Sequence, residues 1–175
     1  MALAGSPRER ELGMTTIFTK AARHLATVLL LFSVSAALAE EKEEAPTSIT
    51  WLGYNEALAK ARDFDKPVFI HFTAPWCKWC VKMKKETYTD PDVIRYMEEN
   101  YIAVIVDTEK LPSLGRKYSV SSLPTLWFLT SEGQGLTSIQ GYVGAEKLLP
   151  VLEYIRTRAY EEVDYDTWKK RGKKN

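Results

Sequence analysis

The chain contains only two cysteines, and they lie three positions apart in the segment Cys77-Lys78-Trp79-Cys80. Thiols at this spacing can form a disulfide bond with each other, and a thiolate on the first can attack a disulfide in another molecule. The second thiol can then attack the resulting mixed disulfide and release the other molecule in reduced form. The pattern predicts Cys77 as the nucleophile and Cys80 as the resolving residue of a thiol–disulfide exchange reaction.

The position of the pair in the predicted secondary structure supports this chemistry. Residues 68–72 are an apolar run that predicts a buried strand, and Cys77 follows it at the expected start of a helix. The free N–H groups and the positive dipole end of a helix favour a thiolate, so Cys77 should ionise more readily than a free thiol. Lys78 adds a nearby positive charge. Trp76 and Trp79 flank the site with apolar surface suited to an unfolded or extended substrate.

The sequence gives less support to two other roles for these cysteines. A structural disulfide across so short a loop would remove little chain entropy from the unfolded state. A structural zinc ion usually takes four Cys or His ligands, whereas residues 40–175 offer two Cys and one His, which is His71. We therefore expect no metal and no cofactor other than a redox-active Cys77–Cys80 disulfide.

The N-terminal region has the pattern of an export signal. Residues 25–39 are apolar and uncharged, follow positively charged residues, and end in a small-x-small sequence that signal peptidases cut. This run is shorter than the roughly 20 residues that span a bilayer. We predict a signal peptide over residues 1–39, cleaved after Ala39, with Met14 as a possible true start. The alternatives are a buried helix or an uncleaved anchor, and a cleaved signal or an anchor places the domain in an oxidising compartment.

The remaining residues divide into three segments. Residues 40–48 form an acidic linker, residues 49–158 a single domain, and residues 159–175 a charged tail. We expect the basic run of this tail, at 169–174, to be solvated. The composition, 45% hydrophobic and 27% charged, is that of an ordinary folded protein, which we expect to be monomeric. The net charge of +1 leaves no broad electrostatic surface for nucleic acid.

Within the domain, helical and strand patterns alternate. The sequence predicts strands at 68–72, 101–107, 126–129 and 136–140. It predicts helices at 55–62, from 77 to about 88, and at 93–100, 112–118 and 144–158. Asn55 is the expected cap of the first helix, and Asp90 is the expected cap of the third, with Pro91 in its first position. This order predicts an α/β domain with a central mixed sheet and helices on both faces.

Several motifs, in their order and spacing, resemble those of the thioredoxin superfamily. They are residues 72–80, Val106-Asp107, Leu123-Pro124-Thr125 and Gly141-Tyr142, and the resemblance covers about residues 50–158. Residues 55–61, 66–68 and 83–93 further resemble the exported thioredoxin-like branch, which includes the C-terminal domain of the thiol:disulfide interchange protein of the bacterial inner membrane.

The resemblance implies the thioredoxin fold, a periplasmic location and exchange with protein thiols. It also implies that Pro124 is a cis-proline that faces the cysteines and leaves the backbone of Leu123 open to a substrate strand. An ordinary proline at a strand edge is the alternative.

Two departures from the family pattern concern the chemistry. His71 stands where thioredoxins carry an acidic residue that is thought to assist proton transfer to the buried cysteine. With a pKa near 6.5, His71 could take that role, or it could be a core histidine. The pair Lys78-Trp79 matches neither the usual thioredoxin pair nor the usual oxidant pair, so it does not indicate the direction of electron flow.

We expect an exported enzyme that reduces disulfides in client proteins and is recharged by an electron donor in the membrane. An oxidase or isomerase of the same fold is the first alternative. The second is a thioredoxin-like binding or chaperone module whose disulfide is inert.

Overall fold

The computed structural model describes residues 46–172. The predicted signal peptide over residues 1–39 and most of the predicted linker lie outside the described residues. Between residues 46 and 172 no helix combines the length and the apolar character needed to cross a membrane.

A mixed sheet forms the centre of the domain, as predicted, and it has five strands. Its spatial order is β1-β3-β2-β4-β5. The strands are β1 (Trp51–Leu52), β2 (Val68–Thr73), β3 (Ile102–Asp107), β4 (Thr125–Leu129) and β5 (Gly135–Gln140). Strands β1, β3 and β2 are parallel, whereas β4 runs antiparallel to both β2 and β5. The two-residue strand β1 was not predicted because it is too short to show a period.

In the part of the chain that the structure describes, six helices accompany the sheet. They are α1 (Tyr54–Phe64), α2 (Lys78–Glu86), α3 (Pro91–Asn100), α4 (Pro112–Lys117), α5 (Ala145–Arg156) and α6 (Tyr165–Gly172), and a 3-10 turn occupies Ala159–Glu161. Helices α1 and α4 cover one face of the sheet through residues such as Ala57, Ala61 and Leu114. Helices α2, α3 and α5 cover the other face. The predicted arrangement of helices on both faces is therefore confirmed.

Strand β2 has all six residues buried, because it lies in the middle of the sheet with helices on both sides. Phe69 joins the hydrophobic cluster on the α2, α3 and α5 face, while Ile70 and Phe72 join the cluster on the α1 face. The side chains of a strand alternate between the two faces, so His71 lies on the same face as Phe69. This is the face that α2 covers.

The predicted helix caps are partly correct. The carboxylate of Asp90 accepts hydrogen bonds from the N–H groups of Asp92 and Val93, at 3.0 and 3.1 Å, and Pro91 opens the helix. The prediction of Asn55 as a cap is wrong, because α1 already begins at Tyr54 and Gly53 occupies the capping position.

The predicted charged tail from residue 159 is folded up to residue 172. Lys170 and Arg171 in its basic run are exposed. Helix α6 packs on α5 through aromatic rings: those of Tyr165 and Trp168 have centroids 5.4 and 5.5 Å from that of Tyr154. The hydroxyl of Tyr154 also donates to the carbonyl of Val163 at 2.6 Å. The basic run had suggested a solvated end, but the aromatic residues that precede it attach this segment to the domain.

We expect Trp168→Ala to lower the free energy of unfolding by about 1–2 kcal/mol, because it removes the contacts of a partly buried aromatic ring. Urea denaturation followed by circular dichroism measures the change. The control is Lys170→Ala, which alters an exposed residue of the same helix and should change stability by less than about 0.5 kcal/mol. Equal stability of the two variants would show that α6 contributes nothing to the fold.

Candidate active site

Cys77 and Cys80 are joined by a disulfide bond, with their Cα atoms 5.3 Å apart. Strand β2 ends at Thr73, and a turn closed by a hydrogen bond from the N–H of Cys77 to the carbonyl of Ala74 leads into α2. Cys77 is the capping residue of α2 and Cys80 lies in its first turn. The predicted location of the pair, at the start of a helix that follows a buried strand, is confirmed.

The start of α2 provides a favourable environment for negative charge on Cys77. The backbone N–H of Cys80 donates to the Sγ of Cys77 at 3.1 Å, and no acidic residue lies in the first turn of the helix. Both features, with the helix dipole, stabilise a thiolate once the disulfide is reduced. Cys77 is 4% exposed and Cys80 1% exposed, so Cys77 is the more accessible of the two to another molecule.

The two tryptophans beside the disulfide are exposed but held by specific contacts. Trp76 is 66% exposed, and its indole N–H donates to a carboxylate oxygen of Glu109 at 2.8 Å. Trp79 is 56% exposed, and its ring lies 5.7 Å from that of Tyr142. Lys78 occupies the first position of α2 and is exposed. The apolar surface predicted around the cysteines is therefore present and fixed in position.

Sequence reasoning did not identify Glu109 as part of this site. A signal was available, because Glu109 follows the carboxyl end of β3, and β3 is parallel to and paired with β2. The ends of two such strands meet at the same edge of the sheet. The N–H of Glu109 donates to the carboxylate of Asp107 at 2.9 Å, which fixes the turn that presents Glu109 to Trp76.

The segment before β4 reaches the same edge of the sheet. The Leu123–Pro124 peptide bond is cis, as the resemblance implied. Leu123 and Trp76 line one groove of about 330 Å³, whose other walls come from α4 and from residues 120–122. The structure thus brings together Trp76 and Leu123, two of the residues predicted to bind substrate.

His71 is fully buried, and neither ring nitrogen has a hydrogen-bond partner among the described residues. Its ring lies 5.3 Å from the ring of Tyr88 and 6.5 Å from that of Trp51. Burial, and to a lesser extent the positive charge of Lys84, lowers the pKa of His71 to about 3. The expectation of a pKa near 6.5 is therefore wrong. So weak a base is poorly matched to a thiol of pKa about 8.5, which favours the core-histidine alternative.

Tyr88 shares this buried position. Its hydroxyl also has no hydrogen-bond partner in residues 46–172, and burial raises its pKa well above the ordinary value. Unpartnered polar atoms on two neighbouring buried rings are uncommon, since each costs free energy. Sequence reasoning did not single out Tyr88.

Comparison with protein families and solved structures gives consistent matches. The family model described as "Thioredoxin-like domain" matches residues 54–156. Disulfide bond reductase DsbH of Chlamydia pneumoniae is 27% identical over 111 residues, which cover 57% of this chain and 67% of that protein.

Two solved structures are similar to the domain. The structure titled DsbH Oxidoreductase has 26% identity and a TM-score of 0.55, covering 65% of this chain and 89% of that one. A thioredoxin from Thermus thermophilus has 26% identity and a TM-score of 0.57, covering 62% and 87% of the respective chains. The predicted thioredoxin fold is therefore confirmed.

Some animal relatives are much longer than the matched region. Spermatogenesis-associated protein 20 of Mus musculus is 31% identical over 77 residues, which cover 43% of this chain but only 10% of that protein. The chain thus spans about a tenth of the length of such relatives.

The buried histidine generates a prediction about pH. The unfolded chain takes up a proton at this residue near pH 6.5 and the folded chain only near pH 3. The contribution of His71 to the free energy of unfolding is therefore fully present above pH 6.5 and is lost as the pH falls toward 3. Between pH 7 and pH 5 the free energy of unfolding should fall by about 2 kcal/mol from this group alone.

The variant His71→Leu should lack this component of the pH dependence. At pH 7 it should be at least about as stable as the wild type, because no hydrogen bond is lost. Urea denaturation at both pH values measures the difference. The control is Ile70→Val, a change on the same strand that alters no titrating group. Relative to the wild type, its free energy of unfolding should be lower by the same amount at pH 7 and at pH 5. An unchanged pH dependence in His71→Leu would contradict the prediction.

Proposed function

Because this chain belongs to the thioredoxin-like domain family, we propose that it is an exported thiol–disulfide oxidoreductase that reduces disulfide bonds in client proteins. The observation that carries the proposal is the disulfide between Cys77 and Cys80 at the N-terminus of α2. That position allows the pair to open and close around a stabilised thiolate.

The proposed reaction begins with the reduced protein. The Cys77 thiolate attacks one sulfur of a client disulfide, so that a bond forms between the two proteins and the client disulfide breaks. The second client sulfur leaves as a thiolate and takes up a proton. Cys80 then loses its proton and attacks the Sγ of Cys77, which releases the first client sulfur as a thiol. Two electrons have passed to the client, and the bridged form seen in this structure results.

The surfaces around the disulfide suit a protein client. Trp76, which contacts Glu109, and Trp79, which contacts Tyr142, provide exposed apolar rings close to Cys77 in the sequence. Neither backbone group of Leu123 makes a hydrogen bond within residues 46–172, so both are free for an extended client segment. Such a segment could run through the groove between Trp76 and Leu123 and pair as a strand does.

The direction of electron flow and the location are further parts of the proposal. Reduction is supported by the similarity to a protein named disulfide bond reductase. Export to the periplasm is supported by the apolar, signal-like run at residues 25–39 and by the resemblance to the exported branch. In an oxidising compartment the bridged form must be reduced again, so we include a membrane electron donor as a partner.

The variant Cys80→Ser should accumulate mixed disulfides with clients, because the residue that resolves them is gone. Mixing it with an oxidised protein such as insulin and separating the products without reductant measures the trapped adduct. The matched control is Cys77→Ser, which should trap at least about tenfold less, since Cys80 is the more buried cysteine. Trapping mainly by Cys77→Ser would reverse the assigned roles.

The reduction potential of the Cys77–Cys80 pair tests the direction of electron flow. Equilibration with glutathione buffers measures this potential. We expect a value of about −270 mV, which is the value of thioredoxin. A value near about −120 mV would show an oxidant. A Cys77 thiol that alkylates no faster than a free thiol at neutral pH, together with no reduction of insulin, would instead support a binding module.

A further inference from the structure

The exposed face of α2 carries a row of lysines that starts at the redox site. Lys78, Lys82 and Lys85 are all exposed, and their spacing of four and three positions places them on one side of the helix. We call them the lysine stripe. Cys80 and Met83 lie on the buried side of the same helix. A molecule that reaches Cys77 therefore meets this positive surface.

Little of this charge is neutralised by the protein itself. Glu86 is the only acidic residue in α2, and one of its oxygens lies 3.7 Å from the ammonium group of Lys82. The same oxygen accepts a hydrogen bond from the hydroxyl of Tyr142 at 2.8 Å. Within residues 46–172, Lys78 and Lys85 form no ion pair. Two of the three positive charges are thus available to a partner.

An aromatic surface adjoins the lysine stripe. The ammonium group of Lys82 lies 5.4 Å from the centroid of Trp79 and 4.8 Å from that of Tyr142. These contacts, with the bond from Tyr142 to Glu86, hold the exposed ring of Trp79 against α2. Apolar surface and positive charge therefore lie side by side next to the disulfide.

The charges on the Trp76 side of the disulfide are mixed in sign. There the exposed residue Glu109 accepts the hydrogen bond of Trp76. Lys110 beside it is also exposed, and Arg116 lines the groove that Trp76 lines. Only the α2 side carries a row of like charges, so a client segment that crosses the site is attracted there through negative groups. Charge complementarity of this kind raises association rates and selects partners.

We propose that the clients of this protein carry acidic side chains within a few residues of the cysteine that Cys77 attacks, and that these side chains bind the lysine stripe. This inference rests on the proposed function and specifies its substrate class. An anionic membrane is a less suitable partner, because three lysines give a small patch and the net charge of the chain is only +1.

Three synthetic peptides test the proposal. They share one disulfide-closed loop and differ only in two flanking residues, which are Asp-Asp, Asn-Asn or Lys-Lys. We expect kcat/KM for reduction to be about three- to tenfold higher for the Asp-Asp peptide than for the Asn-Asn peptide at low salt, and lowest for Lys-Lys. At about 0.5 M salt the three values should lie within about twofold of one another, because exposed charges are screened.

The double variant Lys78→Gln, Lys85→Gln should bring the ratio of the Asp-Asp rate to the Asn-Asn rate close to one. The ratio is the readout because it cancels any effect of Lys78 on the thiolate itself. The matched control is Lys60→Gln, Arg62→Gln, which removes two charges from α1, a helix on the opposite face of the sheet. This control should keep the wild-type ratio.

The outcomes separate the two proposals. Equal rates for all three peptides at low salt would overturn the lysine stripe as a client site and leave the proposed function standing. Failure to reduce any peptide or insulin would overturn the proposed function, and this inference with it. Equal peptide rates combined with binding to phosphatidylglycerol vesicles, lost in the double variant, would assign the stripe to a membrane and overturn the proposal.

Discussion

The site depends on the way β2 is held in the sheet. This strand is buried along its whole length, with a hydrophobic cluster on each face, and it is paired on both sides by β3 and β4. Its carboxyl end is therefore fixed by the core, and Cys77 follows that end by only four residues. The position of the disulfide is set by packing that lies mostly behind it, so the thiols are presented at a defined place before any client binds.

Much of this arrangement follows from patterns that are visible in the sequence. The buried strand at 68–72, the two cysteines after it and the Asp90 cap could all be predicted, because each depends on residues close together in the chain. Local signals of this kind report burial, helix starts and turns directly. The mixed sheet could also be predicted, since the order of strands and helices along the chain restricts the possible topologies.

Features that depend on contacts between distant segments could not be predicted in the same way. Glu109 reaches Trp76 across 33 positions, and Tyr142 reaches Glu86 across 56. The pKa of His71 likewise depends on burial among rings from other elements, which the sequence of its own strand does not show. The docking of α6 was missed because charged residues alternate with the aromatic ones that make the contact.

The docked helix α6 lies beyond residue 156, where the match to the family model ends. It thus lies outside the region that the family model matches. If the polypeptide were shortened to the shared region, the ring of Tyr154 would lose Tyr165 and Trp168 and face water. Exposed aromatic patches of that kind favour association between molecules, and the two turns of α6 cover this one.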